Sequence, residues 1–241
     1  MKREILFISD LHLSLEKTEI TRRFLEFLAS RAPRARALYI LGDLFDAWIG
    51  DDDNTPPIQP VKRALNTLVA SGTAVYLMLG NRDFLLSQRF AAETGVKLLG
   101  DYELIDLNGR RTLLTHGDLL CSDDVPYQAF RAKSRSPEWQ QAVLSKPLWL
   151  RLLAARWYRL RSYWHKRQKS AEIMDVNPQT VEQAMRQFGC SVLIHGHTHR
   201  PAKHELIIDG VPAQRWVLAD WKKDRAECLC WHGSGFATER Y

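Results

Sequence analysis

Five short apolar runs, each followed at once by residues able to bind a metal ion, constrain what this chain can fold into. Runs of four to six apolar or β-branched residues with little alternation are typical of strands buried on both faces. In open α/β sheets, ligands bind beyond the carboxyl ends of such strands, so we expect the following residues to converge on one rim. The runs cover residues 5–8, 37–41, 74–79, 112–115 and 191–194, and the candidate ligands are Asp10, His12, Asp43, Asn81, His116, His195 and His197.

The segments between these runs predict the remaining elements. Apolar residues recur at helical spacing over residues 20–28, so the chain opens as β-α-β with a parallel pair of strands. Asn108-Gly109, between two further apolar runs, predicts a hairpin, and the strands should therefore be both parallel and antiparallel. An amphipathic helix is predicted over residues 174–188, with Pro178 in its first turn.

A helical insertion is predicted at about residues 125–171, within a single domain of residues 1–241. Trp149, Leu153 and Trp157 recur every four residues on one face. Between residues 139 and 171 there is no Asp or Glu, but there are eight Lys or Arg and four Trp. The simplest interpretation is a helix packed on the body with a solvated rim. The segment holds more large apolar residues than a thin insertion can bury, which favours a cap over the site that also contacts a membrane.

The candidate ligands suit a site for two metal ions. Two ions roughly 3.5 to 4 Å apart need a shared ligand, and Asp43 at a strand end can bridge them. Mixed imidazole, carboxylate and amide donors suit Mn²⁺ or Fe²⁺ better than Ca²⁺, and we expect two Mn²⁺ ions. We predict that one ion is reached by Asp10, His12 and His197, and the other by Asn81, His116 and His195.

The order of these motifs resembles the calcineurin-like metallophosphoesterase superfamily. There, Asp-x-His, Gly-Asp, Gly-Asn-His, His and Gly-His-x-His hold two metals in a four-layer αββα sandwich. The resemblance extends from residue 5 to about residue 200. It implies an α/β fold of that kind, here with a helical cap insertion, and a metal-dependent hydrolase.

One residue departs from the superfamily pattern. Where the superfamily usually has His after the metal-bound Asn, this chain reads Gly80-Asn81-Arg82-Asp83. An arginine side chain does not give up its proton at working pH, so it cannot act as a general acid. Its planar guanidinium can, however, donate paired hydrogen bonds to phosphate oxygens. An alkoxide leaving group would lack a general acid, whereas a phosphate monoester, with a second pKa of about 6, can leave without one. Arg82 therefore favours cleavage of a diphosphate; the alternative is that it only pairs with nearby acids.

Longer strings resemble one branch, the UDP-2,3-diacylglucosamine pyrophosphohydrolases of Gram-negative lipid A synthesis. The matching strings are residues 39–45, 48–52, 80–85, 116–118, 173–176 and 194–201, with Asp123, Asp124 and Tyr127. The resemblance implies attack of water on the α-phosphorus of the UDP group, with Asp43, Asn81 and Arg82 catalytic and the cap forming an acyl pocket. The implied substrate contacts are Asn81, Arg82, Asp124, Tyr127, Ser162, Lys166, Lys169 and His195, where Lys166 occupies a position that is Asn in some relatives.

The resemblance also implies partners and a location: a lipid-linked UDP-sugar, and a monomer held peripherally on the cytoplasmic face of the inner membrane without nucleic acid. A net charge of +6 and a pI near 9.2 are consistent with an anionic partner, although they do not identify it. A metallophosphodiesterase or nuclease acting on nucleotides or nucleic acid, and a non-catalytic binding module, are the alternatives.

Other residues receive no role in the site. The four cysteines lack zinc-ribbon spacing, and no signal peptide or transmembrane run is evident, so reduced thiols in a cytosolic protein are expected. Cys228 and Cys230 should share one face of a strand. Residues 51–53 are interpreted as solvated acids in a loop, and His199 as a residue that orients the ligands.

Overall fold

A computed structural model describes residues 4–168 and 175–241, and of residues 159–168 the backbone only. The strands are β1 (Ile5–Ile8), β2 (Ala37–Leu41), β3 (Ala74–Met78), β4 (Lys97–Leu98), β5 (Tyr102–Leu107), β6 (Arg110–Thr115), β7 (Val192–His195), β8 (Ala202–Ile208), β9 (Val211–Val217), β10 (Glu227–Trp231) and β11 (Phe236–Arg240). The helices are α1 (Thr18–Ser30), α2 (Ile58–Ala70), α3 (Gln88–Thr94), α4 (Val125–Ser134), α5 (Pro137–Leu144), α6 (Leu148–Gln168) and α7 (Pro178–Phe188).

The strands form two mixed sheets. The first has the order β11-β10-β1-β2-β3-β4, in which β1 to β4 run parallel and β10 is antiparallel to β1. The second has the order β5-β6-β7-β9-β8, in which β6, β7 and β9 run parallel. The predicted hairpin at Asn108-Gly109 joins β5 to β6. Both strand directions therefore occur, as the sequence predicted.

Three apolar layers hold the two sheets and their helices together. One cluster joins α1, α2 and α3 to the first sheet, with Phe24, Leu38 and Leu65 fully buried. A second lies between the sheets, with Phe7 of the first sheet and Ile194 of the second. A third packs α7 against the outer face of the second sheet. The order is helices, sheet, sheet, helix, and the predicted αββα sandwich is confirmed.

The strands that precede the candidate ligands are buried on both faces, which explains their lack of alternation. All four residues of β1 and all five of β2 are buried. A strand between a helical layer and a second sheet has no solvent side, so polar residues can enter only where the strand ends. This places the candidate ligands in the loops beyond β1, β2, β3 and β6 and at the end of β7.

Helix α7 begins later than predicted. The predicted start at residue 174 was wrong for the described part of that segment, because Asp175 to Asn177 are not helical and α7 begins at Pro178. The Asn177 side chain accepts a hydrogen bond from the backbone N–H of Thr180 and caps the helix. An N-cap amide followed by proline is a stronger start signal than the apolar spacing that suggested the earlier boundary.

The described part of the insertion, up to residue 168, comprises three helices, α4, α5 and α6. Pro137 stands at the first position of α5, and Pro147 immediately precedes α6. Proline lacks a backbone N–H and disfavours a helical residue before it, so a continuous helix cannot pass through either position. Among the described residues no helix is long and apolar enough to cross a membrane.

Candidate active site

Four candidate ligands adopt the left-handed backbone conformation. The φ angles are 54° at Asp10, 50° at His12, 52° at Asp43 and 68° at His197. This conformation costs a residue with a side chain roughly 1–2 kcal/mol. Such strain gathers at functional sites, where the surrounding fold holds it in place. It turns the chain sharply after each buried strand and brings the side chains to one rim.

Asp43 lies at the centre of the cluster. Its Oδ2 is 3.7 Å from His12 Nε2, and its Oδ1 is 3.8 Å from His116 Nε2. The backbone N–H of Arg82 donates a hydrogen bond of 2.8 Å to Oδ1 and fixes the carboxylate. Two oxygens directed at different imidazoles are the arrangement required of a bridging ligand.

Asp10, His12 and His199 form one side of the cluster. Nε2 of His12 lies 3.3 Å from Nε2 of His199. Oδ1 of Asp10 lies 3.2 Å from the same His199 nitrogen. The other oxygen of Asp10 accepts hydrogen bonds from Ser9 Oγ and the His197 N–H. Sequence reasoning gave His199 only an orienting role, yet it lies as close to Asp10 as the predicted ligands do.

Asn81, His116 and His197 form the other side. Oδ1 of Asn81 is 3.1 Å from His116 Nε2 and 2.8 Å from His197 Nδ1. Nδ1 of His116 donates to the carbonyl of Leu41 at 2.8 Å, which leaves Nε2 as the coordinating nitrogen. The prediction grouped His197 with Asp10 and His12, but its ring lies beside Asn81.

His195 is fully buried, with Nδ1 donating to the carbonyl of Gly196 at 2.9 Å. Its Nε2 accepts a hydrogen bond of 3.1 Å from Nη1 of Arg215. Burial and the Arg215 charge lower the pKa of His195 to about 4, so its ring is neutral at pH 7. The structure thus brings six of the seven predicted ligands into close contact. The seventh is His195, whose hydrogen bonds are with Gly196 and Arg215.

Burial opposes charge throughout the cluster. It raises the pKa of Asp43 to about 7, together with the neighbouring carboxylates of Asp83 and Asp10 and against the charge of His116. The pKa of Asp10 is lowered, because the His199 hydrogen bond and nearby imidazoles outweigh burial. Burial lowers the pKa of His116, but Asp43 and Asp10 outweigh it and raise that pKa to about 8. Buried carboxylates in contact need compensating positive charge, which divalent cations would supply.

Two glycines allow the loops to approach the carboxylates. A Cβ on Gly80 would lie 2.1 Å from Asp43 Oδ1, and a Cβ on Gly196 would lie 2.2 Å from Asp10 Oδ2. Neither distance is compatible with a side chain. The glycines of the Gly-Asn and Gly-His motifs therefore serve close contact with the ligands, a role that sequence reasoning did not assign.

Asp118 was not singled out from the sequence, although it anchors the insertion to the site. Its buried carboxylate accepts hydrogen bonds from Tyr127 Oη at 2.6 Å and Arg131 Nε at 2.7 Å. Tyr127 also faces His197, with ring centroids 6.1 Å apart. Asp124 caps α4 by accepting from the N–H of Tyr127. Asp124 and Tyr127 therefore lie beside the cluster.

The other predicted substrate contacts are placed in part. Arg82 lines a cavity beside the cluster. The side chains of Ser162 and Lys166 lie outside the described residues, as does the whole of Lys169.

The cavity has a volume of about 550 Å³ and lies between the insertion and the core. Its polar lining residues are Asn81, Arg82, Asp46, Lys146 and Arg151, and the rest of the lining is apolar. It is lined by Asp46, Ala47, Trp48, Ile49, Asn81, Arg82, Phe84, Leu85, Phe130, Trp139, Ala142, Val143, Lys146, Leu150, Arg151, Ala154, Ala155, Trp157 and Tyr158. An elongated apolar ligand fits such a cavity, with its polar part at the rim.

The three acids at residues 51–53 were interpreted as solvated, which holds for the exposed Asp52 and was wrong for Asp53. Asp53 is buried and accepts a hydrogen bond from the Thr55 N–H, and Asp51 accepts from Trp48 Nε1 at 2.8 Å. Asp52 is paired with Arg151 of α6. Each acid therefore holds a neighbouring segment in place.

The chain was compared with known families and proteins. Residues 3–201 match the calcineurin-like phosphoesterase family. A UDP-2,3-diacylglucosamine hydrolase of Haemophilus ducreyi is 49% identical over 230 residues, which cover 95% of this chain and 97% of the relative. A protein of the same name from Klebsiella pneumoniae is 51% identical over 219 residues, covering 91% of each chain. A third, from Cellvibrio japonicus, is 46% identical and covers 98% of each chain.

Proposed function

Because the chain belongs to the calcineurin-like phosphoesterases, and among them to the UDP-2,3-diacylglucosamine hydrolases, we propose that it hydrolyses UDP-2,3-diacylglucosamine in lipid A biosynthesis. The products are UMP and 2,3-diacylglucosamine 1-phosphate. One observation carries the proposal beyond the family: the apolar cavity beside the ligand cluster has Asn81 and Arg82 in its wall. A substrate with its diphosphate at the rim and its acyl chains in the cavity would match both the polar residues and the apolar lining.

The cofactor is two Mn²⁺ ions, held by Asp10, His12, Asp43, Asn81, His116, His195 and His197. The donor set supports this assignment. Nε2 of His12 lies 3.8 Å from Asp10 Oδ1 and 3.7 Å from Asp43 Oδ2, so one cation could contact all three side chains. One ligand atom from each of Asp10, Asp43 and His116 lies within 4.8 Å of the others. Nitrogen and oxygen donors in this mixture suit Mn²⁺.

When bound, the two cations lower the pKa of a water molecule and neutralise phosphate charge. The protein's own residues position the reaction around them. The Arg82 N–H holds the Asp43 carboxylate, so the carboxylate that would be shared between the cations is fixed relative to the residue that would contact phosphate. Water attacks the α-phosphorus in line, its oxygen becomes part of UMP, and the bond from that phosphorus to the bridging oxygen breaks.

Arg82 stabilises the charge that develops on the phosphate oxygens. Arginine side chains do not give up a proton in proteins, so an arginine cannot serve as a general acid. The leaving group is itself a phosphate monoester, which departs without protonation. The substitution of Arg for the superfamily's His is therefore compatible with a diphosphate substrate.

The remaining substrate contacts are Asp124, Tyr127, Ser162, Lys166, Lys169 and His195, in addition to Asn81 and Arg82. The Tyr127 hydroxyl donates to Asp118, so the residue offers its ring face and oxygen lone pairs to a ligand. Lys166 and Lys169 belong to the acid-free segment and would grip phosphate as point charges.

The protein acts as a monomer on the cytoplasmic face of the inner membrane. Its substrate is a lipid, and the outer surface of α6 exposes Trp149 and Leu153. The segment from residue 139 to residue 171 is basic throughout, which favours contact with anionic lipid headgroups.

Release of UMP from UDP-2,3-diacylglucosamine in the presence of Mn²⁺ tests the proposal. We expect turnover that chelation abolishes and Mn²⁺ restores. Hydrolysis of a simple alkyl phosphodiester or of single-stranded DNA should be slower by orders of magnitude. Faster cleavage of either, with no UMP released from the lipid, would identify a phosphodiesterase or nuclease instead.

A further inference from the structure

The loop between β2 and α2 connects Arg82 to the insertion. The backbone N–H of Trp48 donates to the carbonyl of Arg82 at 3.1 Å. Trp48 and Ile49 then form part of the wall of the apolar cavity. Asp51 fixes the loop by accepting hydrogen bonds from Trp48 Nε1 and from the N–H of Phe90 at the start of α3. A displacement of this loop would therefore change the shape of the cavity.

Arg151 of α6 joins this loop to the insertion. Its side chain is only 5% exposed. Its guanidinium forms a bidentate ion pair with Asp52, in which Nη1 lies 2.8 Å from Oδ1. Nη1 also donates to the carbonyl of Ile49, and Nε donates to the carbonyl of Lys146 at 2.8 Å. One side chain thereby connects the end of α5, the start of α6 and the core loop. Paired hydrogen bonds between guanidinium and carboxylate are among the strongest and most directional in proteins.

Gly50 shows how closely the loop and the insertion approach. A Cβ at this position would lie 2.2 Å from Arg151 Nη1 and 3.1 Å from a methyl carbon of Leu144. The φ of Gly50 is 138°, a conformation that residues with side chains rarely adopt. At this edge the insertion therefore contacts the core without a gap for solvent.

We propose that the Arg151–Asp52 ion pair closes one wall of the apolar cavity and thereby limits the length of the acyl chain that the enzyme accepts. The inference rests on the proposed function, since it concerns the lipid part of that substrate. Arg151 and Ile49 line the cavity, whereas Asp52 lies behind them and does not. Asp52 is thus a positioning residue that acts on chain-length specificity through Arg151. Without its carboxylate, the wall can open and admit longer chains and water.

The test is a series of UDP-2,3-diacylglucosamines whose acyl chains lengthen by two carbons at a time. For the wild-type protein loaded with Mn²⁺, kcat/KM should fall sharply at the first chain that exceeds the closed cavity. Asp52→Asn keeps the shape of the side chain but loses a charge-assisted hydrogen bond to Arg151. In this variant the drop in kcat/KM between the last chain that fits and the first that does not should be at least about fivefold smaller than in the wild type. The change should lie in KM, while kcat for chains that fit stays within about twofold of the wild-type value.

Amide hydrogen exchange provides a second readout that is independent of the substrate. Exchange over residues 49–52 and at the start of α6 should be faster in Asp52→Asn than in the wild type, by about fivefold or more. The matched control is Asp209→Asn, which removes an exposed ion pair with Arg186 at the β8–β9 turn. This control should alter neither the chain-length profile nor exchange near the cavity.

The outcomes distinguish the two proposals. An unchanged chain-length profile in Asp52→Asn, with an active wild-type enzyme, overturns the role of the ion pair alone. A parallel loss of kcat for every chain length would show a general structural role and also overturns it. If the wild type releases UMP from no member of the series, the proposed function fails, and the chain-length inference fails with it.

Discussion

The two oxygens of Asp43 face His12 and His116 at 3.7 and 3.8 Å, and the residue's backbone is left-handed. One carboxylate is thus shared between two imidazoles, and the chain accepts conformational strain to hold it there. Its raised pKa of about 7 reflects burial beside other carboxylates. At the residue scale, the fold brings charged and polar side chains together at a cost in free energy, which bound cations would offset.

Replacement of Arg82 by Ala should separate metal binding from catalysis. The residue is not among the predicted metal ligands, and its backbone N–H to Asp43 is retained in the variant. We expect bound Mn²⁺ to be unchanged and kcat to fall by about 10²–10³, as when one donor to a developing oxyanion is removed. Metal content by mass spectrometry and UMP release measure the two effects. Arg186→Ala, on the outer helix α7, is the matched control, and full activity in Arg82→Ala would contradict the assigned role.

Replacement of Gly80 by Ala should disrupt the ligand cluster. The added methyl group would lie 2.1 Å from Asp43 Oδ1, so the carboxylate or the loop must move. We expect metal affinity to fall by at least tenfold, comparable to the loss of a residue that orients a ligand, at roughly 10–100-fold. Titration of Mn²⁺ into the metal-free protein checks this. The control is Gly235→Ala, where no atom lies within 4 Å of the new methyl group, and this variant should bind Mn²⁺ as the wild type does. Equal Mn²⁺ affinity in the two variants would contradict the role given to Gly80.

Sequence reasoning selected side chains that the fold brings together, because polar residues and strand ends coincide along the chain. It gave His199 a lesser role, since a fifth histidine near two others carries no spacing signal of its own. The side on which the His197 ring lies also could not be predicted. The backbone turn at His197, with a φ of 68°, sets that direction, and left-handed residues other than Gly, Asn and Asp have no sequence signature.

At the scale of elements, α4 is fixed to the metal-binding rim by one carboxylate. Asp118 follows β6 and accepts from Tyr127 and Arg131, one helical turn apart on α4. Arg131 also pairs with Asp101, at 2.6 Å. The position of the first insertion helix therefore depends on the loop that carries His116. This coupling transmits the geometry of the rim to the cavity wall.

Replacement of Asp118 by Asn should weaken this contact strongly. The change leaves the Arg131 guanidinium without its buried carboxylate partner and removes the charged acceptor of the Tyr127 hydroxyl. We expect the free energy of unfolding to fall by about 3–5 kcal/mol, as when one partner of a buried ion pair is removed. Urea unfolding followed by tryptophan fluorescence measures it. Tyr127→Phe removes one hydrogen bond and should cost about 1 kcal/mol; a loss in Asp118→Asn no larger than that would show that Arg131 does not depend on this carboxylate.

Strands were predicted more accurately than helix boundaries or contacts between elements. A strand buried on both faces is necessarily an apolar run, so β1, β2, β6 and β7 are visible in the sequence. The ion pair between Asp52 and Arg151 joins residues 99 positions apart. Nothing in an acidic loop or a basic helix indicates which charges will meet across the fold, and the loop was misinterpreted for that reason.

At the scale of the whole molecule, the ligands come from both sheets. Asp10, Asp43 and Asn81 follow strands of the first sheet, whereas His116 and His197 follow strands of the second. Backbone hydrogen bonds such as His12 N–H to Asp43 O and Gly196 N–H to His116 O join neighbouring loops within each sheet. The site is therefore complete only when the sandwich has formed. The insertion then adds a cavity on one side of that rim and leaves an apolar helix face on the outside.

That outer face gives the last prediction. The side chain of Trp149 is 63% exposed and that of Leu153 is 55% exposed, one turn apart along α6. They belong to a segment without acids, so an anionic bilayer offers both burial for the apolar groups and attraction for the charges. We expect binding to vesicles containing phosphatidylglycerol that weakens as salt rises and is much weaker with neutral lipid alone.

The double variant Trp149→Ser and Leu153→Ser tests whether the apolar face contributes directly. Burying even part of each side chain is worth about 1 kcal/mol or more, so vesicle affinity should fall by at least about tenfold. Ile207→Ser is the matched control, because Ile207 is 75% exposed but lies at the end of β8 away from the rim. Equal loss in the control would show nonspecific adhesion. If the double variant binds as tightly as the wild type, α6 does not face the bilayer, and access of the lipid to the cavity must come from another side.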